Sequence, residues 1–335
     1  MDSLTHIALG ACIGEAFLGK NIGRKAMAWG ALAQSLPDID VLASFWLDPS
    51  ENLLAHRGFT HSFLFVFMAF PVLSLLADRW HRPHNVRMSR WLWFFGVEIL
   101  VHVLLDGFNT YGTGWLEPFS HYRLSLNTIY VADPLFFLFP AIASMVLLVS
   151  RTKPNRRKYW SITGIVGSLI YLSVCLVNKI WIEEDVRRQL EIQHIAHARY
   201  MTTPPPFNNL LWYVVAGNDS GYYIGFRAVG ELENMSLRYF PRNDSLLATV
   251  SDHESVQRLK RFSKGFYTVE YRNGSLVFND LRFGQVAGWK YPDAGFVFYY
   301  YLQHPEDNDL VMQRGRFLGW EREVWMSLAE RIINR

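Results

Sequence analysis

The residues that most clearly indicate chemistry are histidines and aspartates in four short blocks of the first third of the chain. These are THIALG, LPDID, AHRGFTHS and HVLLDGFNTYGT, and their side chains are His6, Asp38, Asp40, His56, His61, His102 and Asp106. Imidazole and carboxylate groups are the ligands expected for zinc, manganese or iron at a hydrolytic site. His102 and Asp106 are four residues apart, so they share one helix face. We therefore predict all seven residues as candidate ligands of one or two divalent ions, zinc before manganese or iron.

Three residues in or beside these blocks are candidates for catalysis. Asp38 and Asp40 lie in Pro-Asp-Ile-Asp, where either can bind metal or both can bridge two ions. We assign Asp38 as the proton acceptor. Arg57 can hold phosphate oxygens through paired hydrogen bonds, the alternative being an interfacial arginine on a lipid head group. Ser62 is assigned a hydrogen bond to substrate or to a ligand, as are Asn109, Thr110 and Tyr111.

The composition of the chain indicates a membrane protein. Of its 335 residues 50% are hydrophobic, 16% are aromatic and only 19% are charged. That is more apolar than an ordinary soluble protein of this length. The net charge of +3 comes without a dense basic stripe, so we expect no nucleic-acid partner. The two cysteines lie inside apolar segments and predict no disulfide.

Apolar runs crowd the first part of the chain and predict about six membrane helices. Two shorter ones cover 4–19 and 25–36, and four stronger ones cover the segments 62–78, 90–107, 134–150 and 160–181. The stronger runs approach the length that spans a bilayer core. A buried soluble bundle is the alternative, but the last two runs are apolar all round. We predict a mainly α, polytopic transmembrane domain over 1–182 that carries the metal site.

A smaller, mostly β extramembrane domain is expected over 183–335. An amphipathic helix and the breaker TTPPPFNN precede strand-like segments. Residues 218–220 and the Asn273-Gly274 pair each join two such segments, and Asn-Gly is the strongest short hairpin signal. A further strand near 295–303 and a terminal amphipathic helix complete the predicted α+β domain.

Lys and Arg residues predict the orientation in the membrane. They are dense in the loops near 20–25, 79–90 and 151–158, whereas loops 37–61 and 108–133 hold only Arg57 and Arg123. The positive-inside rule places the basic loops in the cytoplasm. The N-terminus, the other two loops and the C-terminal domain are then outside. At 1.5 Å per residue, His6 lies about 21 Å from Lys20 and His102 about 18 Å from Arg90, which predicts a site near the outer interface.

At the four blocks quoted above, together with Asp133-Pro134, the chain resembles the YdjM-like family over residues 1–150. That family is described as inner-membrane-associated, metal-dependent hydrolases, and the resemblance implies a multi-pass protein of the bacterial inner membrane.

The order His, Asp, His and His-x-x-x-Asp is also similar to zinc-dependent phospholipases C. By order that likeness implies ligand roles for His6, Asp40, His56, His102 and Asp106. Those enzymes also use an N-terminal amine and a second His-x-x-x-Glu block, which the sequence does not clearly show, so one or two metals are expected rather than three.

We therefore expect a metal-dependent hydrolase of a lipid or lipid-linked phosphoester, with a membrane lipid as the substrate. Two alternatives stay open: a metal or small-solute transporter, and a membrane scaffold with a structural metal. Against transport, the sequence shows no relay of polar groups toward the basic side. The Gly10-x-x-x-Gly14 spacing allows close helix packing within one chain or between two, so the oligomeric state is left open.

Overall fold

A computed structural model describes residues 1–81, 86–149, 154–308 and 321–333. The chain divides into two compact units, one formed by 1–43 and 55–175 and the other by 44–54 and 176–335. Residues 82–85 and 150–153 of the basic loops, with 334–335 of the predicted terminal helix, lie outside the described part. The predicted division between residues 182 and 183 falls inside a continuous helix.

The first unit is helical and matches the predicted apolar runs. Its helices are α1 (Ser3–Ile22), α2 (Lys25–Ser35), α4 (Phe63–Trp80), α5 (Met88–Asp106), α6 (Pro134–Val149) and the first part of α7 (Pro154–Ile192). A 3₁₀ segment, Pro37–Phe45, follows α2 and carries both aspartates. Asp2, four residues before His6, caps α1 by accepting the amide of Thr5.

Small residues let α1 and α2 pack closely. Gly10 and Gly14 of α1 face Ala26 and Gly30 of α2, and a methyl group at Gly14 or Gly30 would collide with the opposite backbone carbonyl. The predicted small-residue packing is therefore made within one chain. It brings the end of α2, and with it Gln34, beside His6.

Within the described residues, α4, α5 and α7 are long and apolar enough to cross a membrane. The predicted six are not shown: over the described residues α6 has 16 residues and α2 has 11. Helix α1 is long enough, but it includes the buried polar residues Thr5, His6 and Glu15. The last predicted span and the amphipathic segment after it are one helix, the 39-residue α7.

The second unit contains two antiparallel sheets and confirms the predicted β domain. Its strands are β1 (Arg199–Thr203), β2 (Leu211–Gly217), β3 (Gly221–Ala228), β4 (Leu237–Pro241), β5 (Tyr267–Arg272), β6 (Ser275–Gln285) and β7 (Phe296–Tyr301). Strands β1 to β4 form one sheet and β5 to β7 the other, each in sequence order. Helices α8 (His253–Phe262) and α9 (Arg322–Ile333) complete the elements beyond α7.

Both predicted hairpins are confirmed. Residues 218–220 join β2 to β3, and the side chain of Asn218 accepts the amides of Ser220 and Gly221 across that turn. Asn273 and Gly274 join β5 to β6, and both have positive φ, as a two-residue hairpin turn of this type requires.

Strand β2 is buried on both faces and lies at the centre of this unit. Alternate residues Leu211, Tyr213 and Val215 pack with Phe266 and Phe296 of the second sheet region. The opposite face of β2 packs against the second part of α7, in a cluster that contains Trp212, Val214, Ala216, Ile182, Val186 and Leu190. Because successive side chains of a strand point to opposite faces, β2 contributes to both of these hydrophobic clusters.

Residues 44–54 were assigned to the first domain from sequence but belong to the second unit. They include most of a short helix, α3 (Pro49–Ala55). Arg258 of α8 donates to Glu51 at 2.8 Å, and the hydroxyls of Ser50 and Ser255 lie 3.0 Å apart. Sequence reasoning missed this association because nothing in 44–54 marks a partner 200 residues away.

Candidate metal centre

Four of the seven predicted ligands converge on one point. One ligand atom from each of Asp38, His61, His102 and Asp106 lies within 4.8 Å of all the others. Asp38 comes from the 3₁₀ segment after α2, His61 from the turn before α4, and the last two from the end of α5. His61, His102 and Asp106 are fully buried, whereas the side chain of Asp38 is 18% exposed.

The two central imidazoles are turned toward each other. His102 Nδ1 lies 2.5 Å from the carbonyl oxygen of Gln34, so its Nε2 atom faces the cluster. His61 Nε2 lies 3.1 Å from His102 Nε2. Two nitrogens bound to one tetrahedral zinc are about 3.3 Å apart, given Zn–N bonds of about 2.0–2.1 Å. The pair therefore has the spacing of two ligands of one ion.

Asp38 and Asp40 have different surroundings, although one residue separates them. Asp38 Oδ1 lies 3.6 Å from both His61 Nε2 and His102 Nε2. Asp40 lies behind His61, 3.3 Å from its Nδ1, and also binds His56 Nδ1 at 3.0 Å. The geometry thus makes Asp38 the ligand candidate and Asp40 the carboxylate that orients the histidines.

Neighbouring histidines keep both carboxyl groups ionised. Burial alone would raise the pKa of Asp38, but the nearby His61 and His102 hold that pKa well below its usual range. The pKa of Asp40 is lowered in the same way, against its burial, by His56 and His61. The amide of Arg57 and the hydroxyl of Thr60 also donate to Asp40 Oδ2. Asp38 is thus in the ionised form that binds a divalent ion, and Asp40 is in the form that accepts hydrogen bonds from the histidines.

Arg57 is buried beside the cluster and is 3% exposed. Its Nε lies 3.0 Å from Asp106 Oδ2, and its other two nitrogens donate to Asn109 Oδ1 and to the carbonyl of Met1. Its backbone has φ +59°, a conformation that non-glycine residues seldom adopt. All three guanidinium nitrogens therefore face oxygens of the protein. The phosphate contact predicted for Arg57 stays a prediction.

His6 and His56 lie next to the four central residues. The ring of His6 stacks on His102 with centroids 3.8 Å apart, and its Nε2 lies 3.3 Å from Asp106 Oδ1. His56 is held by Asp40, and its ring centroid is 6.3 Å from that of His61. These two histidines are therefore outside the group of four: His6 contacts the carboxylate of Asp106, and His56 contacts that of Asp40.

The hydroxyl of Ser62 has a local role. It accepts the amide of Phe65 at 3.1 Å and so caps the first turn of α4. Asn109 is a further partner in the site, since its side-chain oxygen also accepts the amide of Tyr111. Thr110 and Tyr111 are buried nearby, and the guanidinium of Arg57 lies 5.0 Å above the ring of Tyr111.

A divalent metal fits this arrangement. Asp106 Oδ2 is buried and accepts no hydrogen bond from the described residues, although Arg57 Nε and His61 Nε2 lie 3.0 and 3.3 Å away. A buried carboxylate oxygen normally has such a partner. Two imidazoles and two carboxylates are also a common donor set for zinc, manganese or iron. The backbone nitrogen of Met1 lies against Asp106 Oδ1 as well.

Two buried polar residues near the site were missed from sequence. Gln34 of α2 has its Oε1 atom 3.1 Å from His6 Nδ1, which donates to that oxygen in the Nδ1–H tautomer, and the Nε2 atom of Gln34 donates to the carbonyl of Glu98. Glu98 is fully buried on α5, and neither carboxyl oxygen has a partner among the described residues. The signal was available, since Glu98 is one turn before His102 on the same helix face.

These residues correct the sequence-based argument that no polar groups continue toward the basic side. Glu98 lies one turn N-terminal to His102 on α5. Its carboxyl group is close to Gly30 of α2, since a methyl group at Gly30 would approach Glu98 Oε1 to 2.7 Å. Further along α1, Glu15 binds the guanidinium of Arg157 through both carboxylate oxygens, at 2.9 and 2.7 Å. Buried polar side chains thus occur at several depths of the helical unit.

Comparison with known families matches residues 1–182 to the family described as YdjM inner membrane protein. The match covers more than half of the chain. The chain belongs to the YdjM family. This confirms the resemblance seen in the four sequence blocks, and it supports an association with the inner membrane.

Two curated relatives extend the comparison. The chain is 38% identical over 122 residues to inner membrane protein YbcI of Escherichia coli, which covers 36% of this chain and 69% of that protein. It is 26% identical to the uncharacterized protein YfhP of Bacillus subtilis, over 96% of this chain and 95% of that protein. The similarity to the Bacillus protein therefore includes the C-terminal unit. No solved structure matches the chain.

Proposed function

We propose that the chain is a membrane-embedded, metal-dependent hydrolase that acts on a lipid or lipid-linked phosphoester. The observation that carries the proposal is the group of four converging ligands, in which a buried oxygen of Asp106 accepts no hydrogen bond from any residue that the structure describes. A group of this kind needs a cation to offset the cost of burying its carboxylates. Zinc is our first choice for the ion, with manganese and iron next, and we expect one or two ions per chain.

Each residue of the site receives a role in this proposal. Asp38, His61, His102 and Asp106 would hold the ion, which supplies Lewis acidity toward a phosphoryl or acyl oxygen and makes water a better nucleophile at neutral pH. Asp38 is the exposed member of the four, so we assign it the proton from the attacking water. Asp40 fixes the orientation of His61, and Arg57 fixes that of Asp106.

A lipid substrate is supported by the apolar residues that flank the ligands in the chain. Leu4, Ile39, Val41 and Phe59 are each 44–65% exposed, and each lies within two residues of a predicted ligand. Exposed apolar side chains around a polar site suit an amphiphile whose head group reaches the ligands and whose chains stay in the bilayer.

The proposal includes a multi-pass arrangement in the inner membrane. Helices α4, α5 and α7 are the candidate spans, and basic residues are concentrated at the helix ends and connections around residues 20–25, 79–90 and 151–158. With those loops in the cytoplasm, the metal centre and the C-terminal domain belong to the outer side of the membrane.

The direct test is turnover by the purified full chain in detergent, loaded with each ion in turn. Phospholipids and polyprenyl phosphates are the substrates to screen. We expect product release that Asp38→Asn and Asp106→Asn abolish and that Asp219→Asn, an exposed turn substitution, leaves unchanged. Metal-loaded protein that releases no product from any of these lipids would contradict the hydrolase proposal.

A second candidate, transport of a cation, is favoured by the buried Glu98. Ionisable residues inside membrane helices commonly mark ion or proton pathways. Uptake of zinc or manganese into sealed vesicles would support transport, provided Glu98→Gln abolishes it. A hydrolase turns over without a sealed compartment, so vesicle dependence separates the two functions. A scaffold with a structural metal would bind its ion with no open coordination position.

A further inference from the structure

A basic groove lies on the helical unit, far from the metal centre. It is lined by α1 and by the start of α5, with a volume of about 700 Å³, and its lining residues are Ala16, Phe17, Arg87, Ser89, Arg90 and Trp93. Arg90 precedes His102 by 12 residues on α5, which is about 18 Å along the helix. Phe17 follows His6 on α1 by a similar distance. The groove is therefore a separate site.

The groove carries positive charge that is accessible to a ligand. Arg87 and Arg90 are exposed, and neither lies within ion-pair distance of a carboxylate among the described residues. One guanidinium nitrogen of Arg90 donates to Asn21 Oδ1 at 2.7 Å, which holds that side chain at the groove. Arg87 directly precedes the 19-residue α5 and its side chain makes no capping bond, and Ser89 adds a hydroxyl. Two arginines beside a helix start favour a phosphate group.

The remaining walls of the groove are apolar. Phe17 is 40% exposed and Trp93 is 73% exposed, and Trp93 lies on a helix that is apolar enough to cross a membrane. Tryptophan at the end of such a helix is typical of the membrane interface. The groove thus offers cationic groups at the level of lipid head groups and aromatic surface where acyl chains begin.

From this combination we propose that the groove binds the head group of an anionic phospholipid. The phosphate lies between Arg87 and Arg90, and the first part of the acyl chains packs on Trp93 and Phe17. Basic pockets between membrane helices bind anionic lipid head groups in this manner. The lipid in this groove is a bound ligand and not the substrate, because the groove is remote from the ligands of the metal centre.

The test is a titration of the detergent-purified full chain with short-chain phosphatidylglycerol, followed by native mass spectrometry. We expect Arg87→Gln/Arg90→Gln to weaken binding at least about tenfold, since both charge-assisted contacts to the phosphate are lost. The control Arg156→Gln/Lys158→Gln removes the same charge from exposed positions outside the groove. It should bind like wild type. Equal weakening in both variants would overturn the site.

Two further measurements distinguish a lipid from free phosphate. Trp93→Ala should weaken binding of phosphatidylglycerol while it leaves the elution volume and circular dichroism spectrum of the protein unchanged. Inorganic phosphate at the same concentrations should not compete, and phosphatidylcholine should bind less well than phosphatidylglycerol. Displacement of the lipid by equimolar inorganic phosphate, with Trp93→Ala behaving like wild type, would assign the groove to a free anion and contradict the proposal.

Discussion

The Nε2 atoms of His61 and His102 lie 3.1 Å apart, although the two residues are 41 positions apart in the chain. His102 has its Nδ1 atom at the carbonyl of Gln34, and His61 has its Nδ1 atom 3.3 Å from Asp40. Outer contacts of this kind fix the ring orientation of metal-binding histidines. The relationship between the two rings is therefore the geometric basis of the proposed metal centre, and Asp38 and Asp106 complete it.

Substitution of Asp40 tests the distinction between the two aspartates. Asp40→Asn should lower metal affinity about 10–100-fold, because it weakens the group that orients His56 and His61. Asp38→Asn should have the larger effect if Asp38 binds the ion directly. Competition with a chelator of known affinity gives both values. An Asp40→Asn protein with unchanged affinity would remove Asp40 from the site.

The ion pair between Arg157 and Glu15 should be essential to the helical unit. Both side chains are at least 90% buried, and the guanidinium also donates to the carbonyl of Leu147. Arg157→Ala leaves the carboxylate of Glu15 buried without a partner, which costs about 3–5 kcal/mol. Thermal unfolding in detergent should show a clearly lower melting temperature for Arg157→Ala and almost no change for the exposed Arg156→Ala. Equal melting temperatures for the two variants would contradict this assignment.

Arg258 should hold residues 50–54 within the C-terminal unit. Its partly exposed ion pair with Glu51 contributes about 0.5–1 kcal/mol to the stability of this contact, since solvent screens such pairs. Arg258→Ala should therefore accelerate amide hydrogen exchange in 50–54 by about two- to fivefold. Arg261→Ala, an exposed change on the same helix, is the matched control. No difference in exchange between the two variants would show that Arg258 does not hold this segment.

The N-cap of α8 gives a pH-dependent prediction. The hydroxyl and the amide of Ser255 both donate to Asp252 and lower its pKa. Because the folded pKa is the lower one, the stabilisation is present above the unfolded pKa of about 3.9 and is lost as pH falls through the folded value. Asp252→Ala should cost about 1 kcal/mol of α8 opening free energy at pH 6.

Hydrogen exchange at two pH values measures this effect, with α9 as the internal reference. The difference between wild type and Asp252→Ala should shrink at pH 3 as the wild-type carboxyl becomes protonated. A difference that is as large at pH 3 as at pH 6 would mean that the charge of Asp252 does not contribute.

Local patterns in the sequence predicted the parts of the structure that depend on neighbouring residues. The four-residue spacing of His102 and Asp106 predicted that they share one helix face, and the Asn273-Gly274 pair predicted the hairpin that it forms. The choice between Asp38 and Asp40 depends on a 3₁₀ segment whose side-chain directions sequence does not specify. The placement of 44–54 depends on contacts with Ser255 and Arg258, which only the tertiary structure reveals.

Three helices among the described residues are long and apolar enough to cross a membrane, and the predicted six are not shown. Apolar residues can be buried against other helices as well as against lipid, and α1 and α2 use glycines to pack closely on each other. Glu98 was missed from the sequence because the candidate ligands were histidines and aspartates only. This glutamate nevertheless lies at helical spacing from His102. The burial of Glu98, with no hydrogen-bond partner for its carboxyl oxygens among the described residues, is apparent only once α2 is packed beside α5.

Metal content of the detergent-purified full chain, measured by plasma mass spectrometry, tests the central claim most directly. Wild type should contain one or two zinc, manganese or iron ions per chain, and His61→Ala/His102→Ala should contain none. The control His194→Ala/His253→Ala changes two exposed histidines of the C-terminal unit and should match wild type. Wild-type protein that holds no metal, even after reconstitution with each ion, would contradict the metal centre and with it the proposed hydrolase.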